Sequence, residues 1–238
     1  MTSPVISGRP GGLIIAIDGP SGAGKSTITK LLANRLGYIH IDTGAMFRAV
    51  ALAAQRAGID IGDENVLAGF CRTLEIAFSR DNGCCRVLLN REDVSAAIRT
   101  PEISLLTSRV SAQKVVREFL LRQQREMGQK GGVVLEGRDI GTVVFPDADM
   151  KFFLTASAEE RGKRRYLELR AKGEEVSLAE TIAQVVQRDE QDERREHAPL
   201  RKAADAVDVD SSGLSVDEVL ALMEGMIKER LKALGAGR

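Results

Sequence analysis

The octapeptide Gly19-Pro20-Ser21-Gly22-Ala23-Gly24-Lys25-Ser26 constrains this chain more than any other segment. It has the form G-x-x-x-x-G-K-[ST]. It follows an apolar run, Leu13–Ile17, that ends in Asp18, and it precedes Ile28, Leu31, Leu32 and Leu36 at helical spacing. Strand, glycine-rich loop and helix in that order make a phosphate cradle. The glycines let the backbone wind so tightly that several N–H groups face one anion, and the positive end of the next helix strengthens the field. The loop residues through Thr27 are therefore expected to bind ATP, with Lys25 bridging the β- and γ-phosphates and Ser26 offering its hydroxyl to Mg²⁺.

Beyond the loop, short apolar runs alternate with helical periodicity, which predicts βαβ units and an α/β fold with a parallel sheet. The candidate strands are Leu13–Ile17, Tyr38–Ile41, Val133–Leu135, Lys151–Leu154 and Ala206–Val209. Gly37 is placed to end the first helix, and Ser157 with Glu160, Ser177 with Glu180 and Ser215 with Glu218 have capping-box spacing. Two stretches break the rhythm. Leu74, Ile76 and Phe78, then Val87 and Leu89, alternate with more polar residues around Asp81-Asn82-Gly83, a hairpin signature that predicts a small antiparallel insert over about 59–99. Residues 159–202 are dense in charge of both signs and read as two solvated helices. Residues 1–12 read as a loose leader, 13–230 as a single domain with its core in 13–58, 100–158 and 203–230, and 231–238 as a tail.

Lys plus Arg and Asp plus Glu each number 34 among 238 residues, so the formal charge is zero. That balance argues against a general nucleic-acid or anionic-membrane binder, either of which would carry a basic excess. Cys71, Cys84 and Cys85 form neither a metal-ligand spacing nor a disulfide framework, and the vicinal pair reads as inert packing. No membrane span or secretory signal is visible, so a cytoplasmic protein is expected, with no need of oligomerisation for stability and hence a monomer.

A phosphate loop does not say which reaction follows. No Asn-Lys-x-Asp guanine-reading element and no Leu-Ser-Gly-Gly-Gln signature is present. After the second strand come Asp42-Thr43-Gly44-Ala45-Met46-Phe47-Arg48, in which Thr43 is expected to cap the next helix. Thr43, Phe47 and Arg48 there converge to hold a second phosphorylated ligand. After the third strand come Glu136-Gly137-Arg138-Asp139. Glu136 is placed to orient Mg²⁺ or its waters, and Arg138 and Asp139 project from the sheet edge where ligands of open α/β sheets bind. Arg161 and Arg165 are spaced i, i+4, and Arg188, Asp192 and Arg195 are spaced i, i+4, i+7, so each set lines one helical face. Phosphoryl transfer asks chiefly for positioning and dispersal of anionic charge, which arginines on a mobile helical pair could supply. His40 reads as a core or strand-end residue.

These segments together, with Ile98-Arg99-Thr100, Gly137-Arg138-Asp139-Ile140-Gly141-Thr142-Val143-Val144-Phe145-Pro146-Asp147-Ala148, Arg188-Asp189 and Ala198-Pro199-Leu200, resemble bacterial-type cytidylate kinases, within the nucleoside monophosphate kinases. The resemblance runs from about Leu13 to Arg230. It implies a five-stranded parallel core, a monophosphate-binding insert in the hairpin region, a helical lid over 159–202, and Mg²⁺-dependent transfer from ATP to CMP or dCMP. It further implies cytosine contacts at Ser108, Arg117, Asp139 and Arg195, pentose contacts at Arg188 and Asp192, a monophosphate grip at Thr43 and Arg48, and catalytic charge at Lys25, Arg138, Arg161, Arg165 and Arg188. Phe47 stands where the family often has Tyr, and Glu136 where Asp is frequent. A kinase of another acceptor, such as shikimate or UMP, and a noncatalytic nucleotide-binding regulator remain alternatives on the residues.

Overall fold

The computed structural model describes residues 11–81, 84–171 and 173–236. Asn82 and Gly83 of the expected hairpin turn, residues 1–10 of the expected leader, the end of the tail and the side chains of Cys84 and Cys85 lie outside that description. Strands β1 (Ile14–Asp18), β2 (Ile39–Asp42), β6 (Val133–Gly137), β7 (Met150–Thr155) and β8 (Val207–Asp210) form one parallel sheet in the order β2-β6-β1-β7-β8. All five candidate strands are present, each within a residue or two of its expected bounds.

The sheet is covered on both faces, and the strand period of two sorts its side chains between them. Ile15, Ile17 and Val134 pack with Ile28 and Leu32 of α1 (Lys25–Leu36) and with Leu220, Met223 and Ile227 of α8 (Val216–Ala236). The intervening Ala16, Val133 and Leu135 face Met46 and Val50 of α2 (Thr43–Arg56), Ile103 of α4 (Pro101–Ala112) and Leu120 of α5 (Lys114–Gly128). Ile15 and Ile17 are fully buried, and each contributes about 1.5–3 kcal/mol by leaving water. Gly37 ends α1 at φ 67°, and the next N–H, of Tyr38, donates to Ala33 O at 2.8 Å.

The insert is richer than the sequence pattern indicated. Its alternation does form a hairpin, β3 (Ile76–Asp81) with β4 (Cys84–Leu89), and Ile76, Phe78, Val87 and Leu89 are buried. A third short strand, β5 (Glu92–Asp93), joins them, and a helix, α3 (Glu64–Cys71), precedes them. Neither was legible, because two residues set no period and α3 is short. The insert is no separate unit, since Leu67, Ile76, Phe78 and Val94 share one core with Met46 and Val50.

The charged stretch forms α6 (Ala158–Ala171) and α7 (Leu178–Glu193), started by Ser157 and Ser177, whose hydroxyls each accept the N–H three residues on at 3.2 Å. The reciprocal carboxylate bond of a full capping box is made by Glu218 to Ser215 N at 2.8 Å. The pair is less solvated than its composition suggests. Gly162 meets Ile182 so closely that an added Cβ would lie 2.4 Å from its Cγ1 and 2.9 Å from its Cα. No described helix is long and apolar enough to cross a membrane.

Gly162→Ala forces α6 and α7 apart, because Ile182 cannot retreat without its backbone. We expect a loss of about 1–3 kcal/mol of stability, read as a shift in the denaturant midpoint. An unchanged midpoint would show that the two helices do not depend on this contact.

Candidate active site

The site lies at the carboxyl edge of the sheet, where β1, β2 and β6 end side by side. Gly19 leaves β1 at φ 148°, where an added Cβ would stand 2.0 Å from Leu154 O, so only glycine lets the loop turn there. Gly22 and Gly24 also hold positive φ, and α1 begins directly at Lys25. Lys25 is buried, with Nζ donating to Gly19 O at 2.7 Å and Pro20 O at 2.6 Å. Its ammonium is thus folded onto its own loop, close to the N–H groups a phosphate would face.

Neighbouring strand ends supply the second group. Ser26 Oγ donates to Glu136 Oε2 at 2.8 Å, and His40 Nε2 meets Glu136 Oε1 at 2.8 Å. His40 is therefore part of the site, which its apolar strand did not reveal. In the β2–β6 register Asp42 stands beside Glu136, and His40 two residues before it lies on the same face. Thr43 does not cap α2 as expected. Asp42 does, accepting Ala45 N at 2.8 Å and Arg48 Nη2 at 3.0 Å, because its side chain sits one residue outside the first helical turn. Thr43, already helical, donates instead to Glu136 O at 2.6 Å.

A third group closes the far side. Arg117 Nη2 contacts Asp139 Oδ2 at 2.6 Å while Nη1 donates to Ser111 O at 2.9 Å, and its guanidinium carbon lies 5.3 Å from the Phe47 ring centroid. Ser108 is one helical turn before Ser111 on α4, half-buried. Phe47, Arg117, Asp139, Val143, Val144 and His197 border a cleft of about 290 Å³. Asp192, almost wholly buried, accepts from Arg138 Nε at 2.8 Å and from Arg195 Nη2. Arg195 does not share the α7 face with Arg188 and Asp192, because α7 ends at Glu193. It reaches Asp192 from beyond the helix.

Arg161 stands apart from the other arginines. Its guanidinium is buried, donating from Nε to Ala156 O at 2.9 Å and from Nη1 to Ser21 O at 3.0 Å, and pairing with Asp189 at 2.6 Å. In this arrangement it braces the phosphate loop against α7. Arg165 is half-exposed and meets Glu168 at 3.3 Å. Arg164, which the spacing did not single out, donates to Ser211 O at 2.8 Å, and Ser211 Oγ donates to Ala23 O at 3.2 Å.

The electrostatics are those of a site in which cations crowd one another out of water. Burial, and after it the neighbouring Arg138, pushes the Lys25 ammonium well below its usual range. Burial, then Arg138 and Arg48, lowers Arg188 to about 10, and burial, then Arg117 and Arg138, lowers Arg195 to about 10. Arg188 Nε and Arg48 Nε are buried without a hydrogen-bond partner. Such donors are expensive to leave unsatisfied, and phosphate oxygens would satisfy them.

A family model described as cytidylate kinase matches residues 15–229. The cytidylate kinase of Geobacter sulfurreducens is 73% identical over 222 residues, spanning 93% of this chain and 95% of that one. That of Citrifermentans bemidjiense is 70% identical over 223 residues, spanning 94% and 96%. Among solved structures, a gluconokinase from Sinorhizobium meliloti shares the fold at 15% identity with a TM-score of 0.50, over 96% of this chain and 99% of that one.

Asp18, the last residue of β1, is buried and accepts from Ile140 N at 2.8 Å and Gly141 N at 2.7 Å. Burial outweighs those bonds and raises its carboxyl from 3.8 to about 6. A raised folded-state value means that this group's contribution to stability is complete below about pH 3.8 and is lost as pH climbs through about 6. We expect the stability difference between wild type and Asp18→Asn to move in the variant's favour, by at most about 3 kcal/mol, between pH 4 and 7. Chemical denaturation across that range measures it, and a pH-independent difference would show that Asp18 is ionised throughout.

Proposed function

The chain belongs to the cytidylate kinase family, whose reaction moves the γ-phosphoryl group of ATP reversibly onto CMP or dCMP, and we propose that the residues of its carboxyl-edge site divide that work. The observation that carries the assignment is the cluster of cations, Lys25, Arg138 and Arg188, that act on one another at the sheet edge holding the phosphate loop and the Arg117–Asp139 pair.

In this reading Gly19 through Thr27 wrap the ATP phosphates, and Lys25 leaves Gly19 O and Pro20 O to bridge the β- and γ-phosphates. Thr43 and Arg48 hold the CMP phosphate, with Arg188 beside them. An oxygen of that phosphate attacks the γ-phosphorus, the bond to the β–γ bridging oxygen breaks, and ADP carries away the electron pair. The attacking oxygen is already anionic, so no general base is required. The chain's task is to align the two phosphates and to spread their charge over Lys25, Arg138, Arg165 and Arg188. Arg161 serves the same end by holding the loop through Ser21.

Ser26 and Glu136, in mutual contact, offer hydroxyl and carboxylate oxygens of the hard type that suits Mg²⁺, an ion content with one or two protein ligands beside phosphates and water. Bound with ATP, it would neutralise charge on the β- and γ-phosphates. Asp139 accepts from the cytosine amino group, with Arg117, Arg195 and Ser108 around the ring, and Asp192 with Arg188 holds the pentose. Residues 59–99 act as the monophosphate-binding insert and 159–202 as a lid. Burial of a sizeable core within one chain of this length favours a monomer, and both substrates are cytoplasmic metabolites.

An acceptor panel tests the reading. ADP release should be fast with CMP and dCMP and weak with UMP or shikimate, while ATP binding without ADP release on any acceptor would replace it with a noncatalytic role. Asp139→Asn should lower the CMP-to-UMP ratio of kcat/KM by about tenfold or more, because uracil presents a carbonyl where cytosine presents a donor. An unchanged ratio in a folded variant removes Asp139 from base recognition.

The lid has its own test. Closure would bring arginines onto phosphate and exclude water, so amides of α6 and α7 should exchange more slowly once both nucleotides are bound. Equal exchange with and without ligands would leave these helices as a fixed, charged surface.

A further inference from the structure

The acid assigned to the cytosine amino group does not sit on a strand or an ordinary loop. Asp139, with φ −144° and ψ 20°, leads into a single π-helical turn, Ile140–Val144, a rare geometry whose wider ring leaves backbone groups to be satisfied from outside. Two side chains supply that satisfaction from opposite ends. Asp18 takes the first N–H groups, those of Ile140 and Gly141. Arg125 of α5 takes the last carbonyls, donating from Nε to Val144 O at 3.0 Å and from Nη2 to Val143 O at 2.8 Å. Arg125 Nε and Nη2 therefore grip two consecutive carbonyls as a fork, a geometry that the planar guanidinium fits and an ammonium does not.

The same helix grips Asp139 directly. Arg117 lies two turns earlier on α5 and pairs with the Asp139 carboxylate, and Gly128, one turn after Arg125, admits the Phe145 ring so closely that an added Cβ would be 2.6 Å from Cζ. Helix α5 thus contacts this segment at its start, its end and just beyond. A rigid helix that holds Asp139 at the start of the turn and Val143 and Val144 at its end limits how far the segment, and the carboxylate leading into it, can shift. Arg125 itself is exposed at the outer side of the turn, and it is not among the residues that border the cleft.

We propose that Arg125 is a positioning residue for base selection, which sets the orientation of Asp139 through the Ile140–Val144 turn without touching either nucleotide. The proposal rests on the assignment of Asp139 to the base. Loss of the fork frees the carboxyl end of the turn, so the Asp139 carboxylate and its Arg117 partner sample a wider range of positions. A misplacement of a fraction of an ångström weakens a charged hydrogen bond to cytosine far more than it affects ATP, which binds the opposite loop.

The test uses Arg125→Gln, Arg125→Lys and Asp139→Asn in the full chain, with melting temperatures recorded to confirm folding. In Arg125→Gln we expect KM for CMP to rise and the CMP-to-UMP ratio of kcat/KM to fall about three- to tenfold, with KM for ATP within twofold of wild type. Arg125→Lys, which keeps the positive charge but not the planar fork, should recover part of the ratio. A ratio unchanged in Arg125→Gln, or an equal loss with CMP and UMP, overturns the proposal and leaves Arg125 a purely structural contact. Asp139→Asn separates the two ways of failing. If it moves the ratio while Arg125→Gln does not, Asp139 reads the base unaided, and if neither moves it, the base assignment itself is wrong.

Discussion

Everything at this sheet edge is arranged around a crowd of cations held largely out of water and partnered, in part, by the chain's own carboxylates. Lys25 is buried beside the partly buried Arg138 and Arg188, both arginines depress its proton affinity, and Arg138 depresses that of Arg188. Such a cluster would be untenable in a static core, because an unpaired buried charge costs several kcal/mol. It persists here because the chain supplies provisional acceptors, namely carbonyls of the loop for Lys25 and Asp192 for Arg138. Polyphosphate can replace each of these with a stronger acceptor. The same low dielectric that strains the empty site strengthens every contact to the substrates.

Strand order explains why these charges meet. β1 lies between β6 and β7, and β6 lies between β2 and β1, so the loop after β1 stands next to the residues that end β6 and, one strand further, to those that begin α2. Three segments distant in sequence, near positions 20, 43 and 138, become neighbours through register alone. Asp18 makes the link explicit, since its carboxylate, directly before the phosphate loop, holds the backbone directly after Asp139. The phosphate loop and the Asp139 end of the site are therefore parts of one hydrogen-bonded unit.

Much of this was legible because it depends on period and on glycine. The five strands announced themselves as apolar runs, the hairpin as alternation, and the phosphate loop as glycines at fixed spacing before Lys25. What was not legible depends on partners remote in sequence. His40 looked like a strand residue because nothing near it names Glu136 as its neighbour. Thr43 looked like a cap because it has the right chemistry, yet Asp42 has it too and stands one position earlier. Arg195 fitted a helical face only if the helix continued, and it stops at Glu193. The π turn leaves no periodic trace at all, since one turn is too short to repeat.

Glu136 and Phe47 each keep their place through the neighbours they hold. Glu136, one methylene longer than Asp, meets Ser26 with one carboxylate oxygen and His40 with the other. The extra reach would otherwise leave the acid more rotamers, and two partners on opposite oxygens remove them. Phe47 lacks the hydroxyl of Tyr, but its ring lies under the Arg117 guanidinium, a contact that needs only the aromatic face. Arg117 in turn holds Asp139 and Ser111 O. In both cases the side chain and a charged or polar neighbour fix one another's direction, so the orientation of the site's charged groups rests on contacts the sequence pattern does not show.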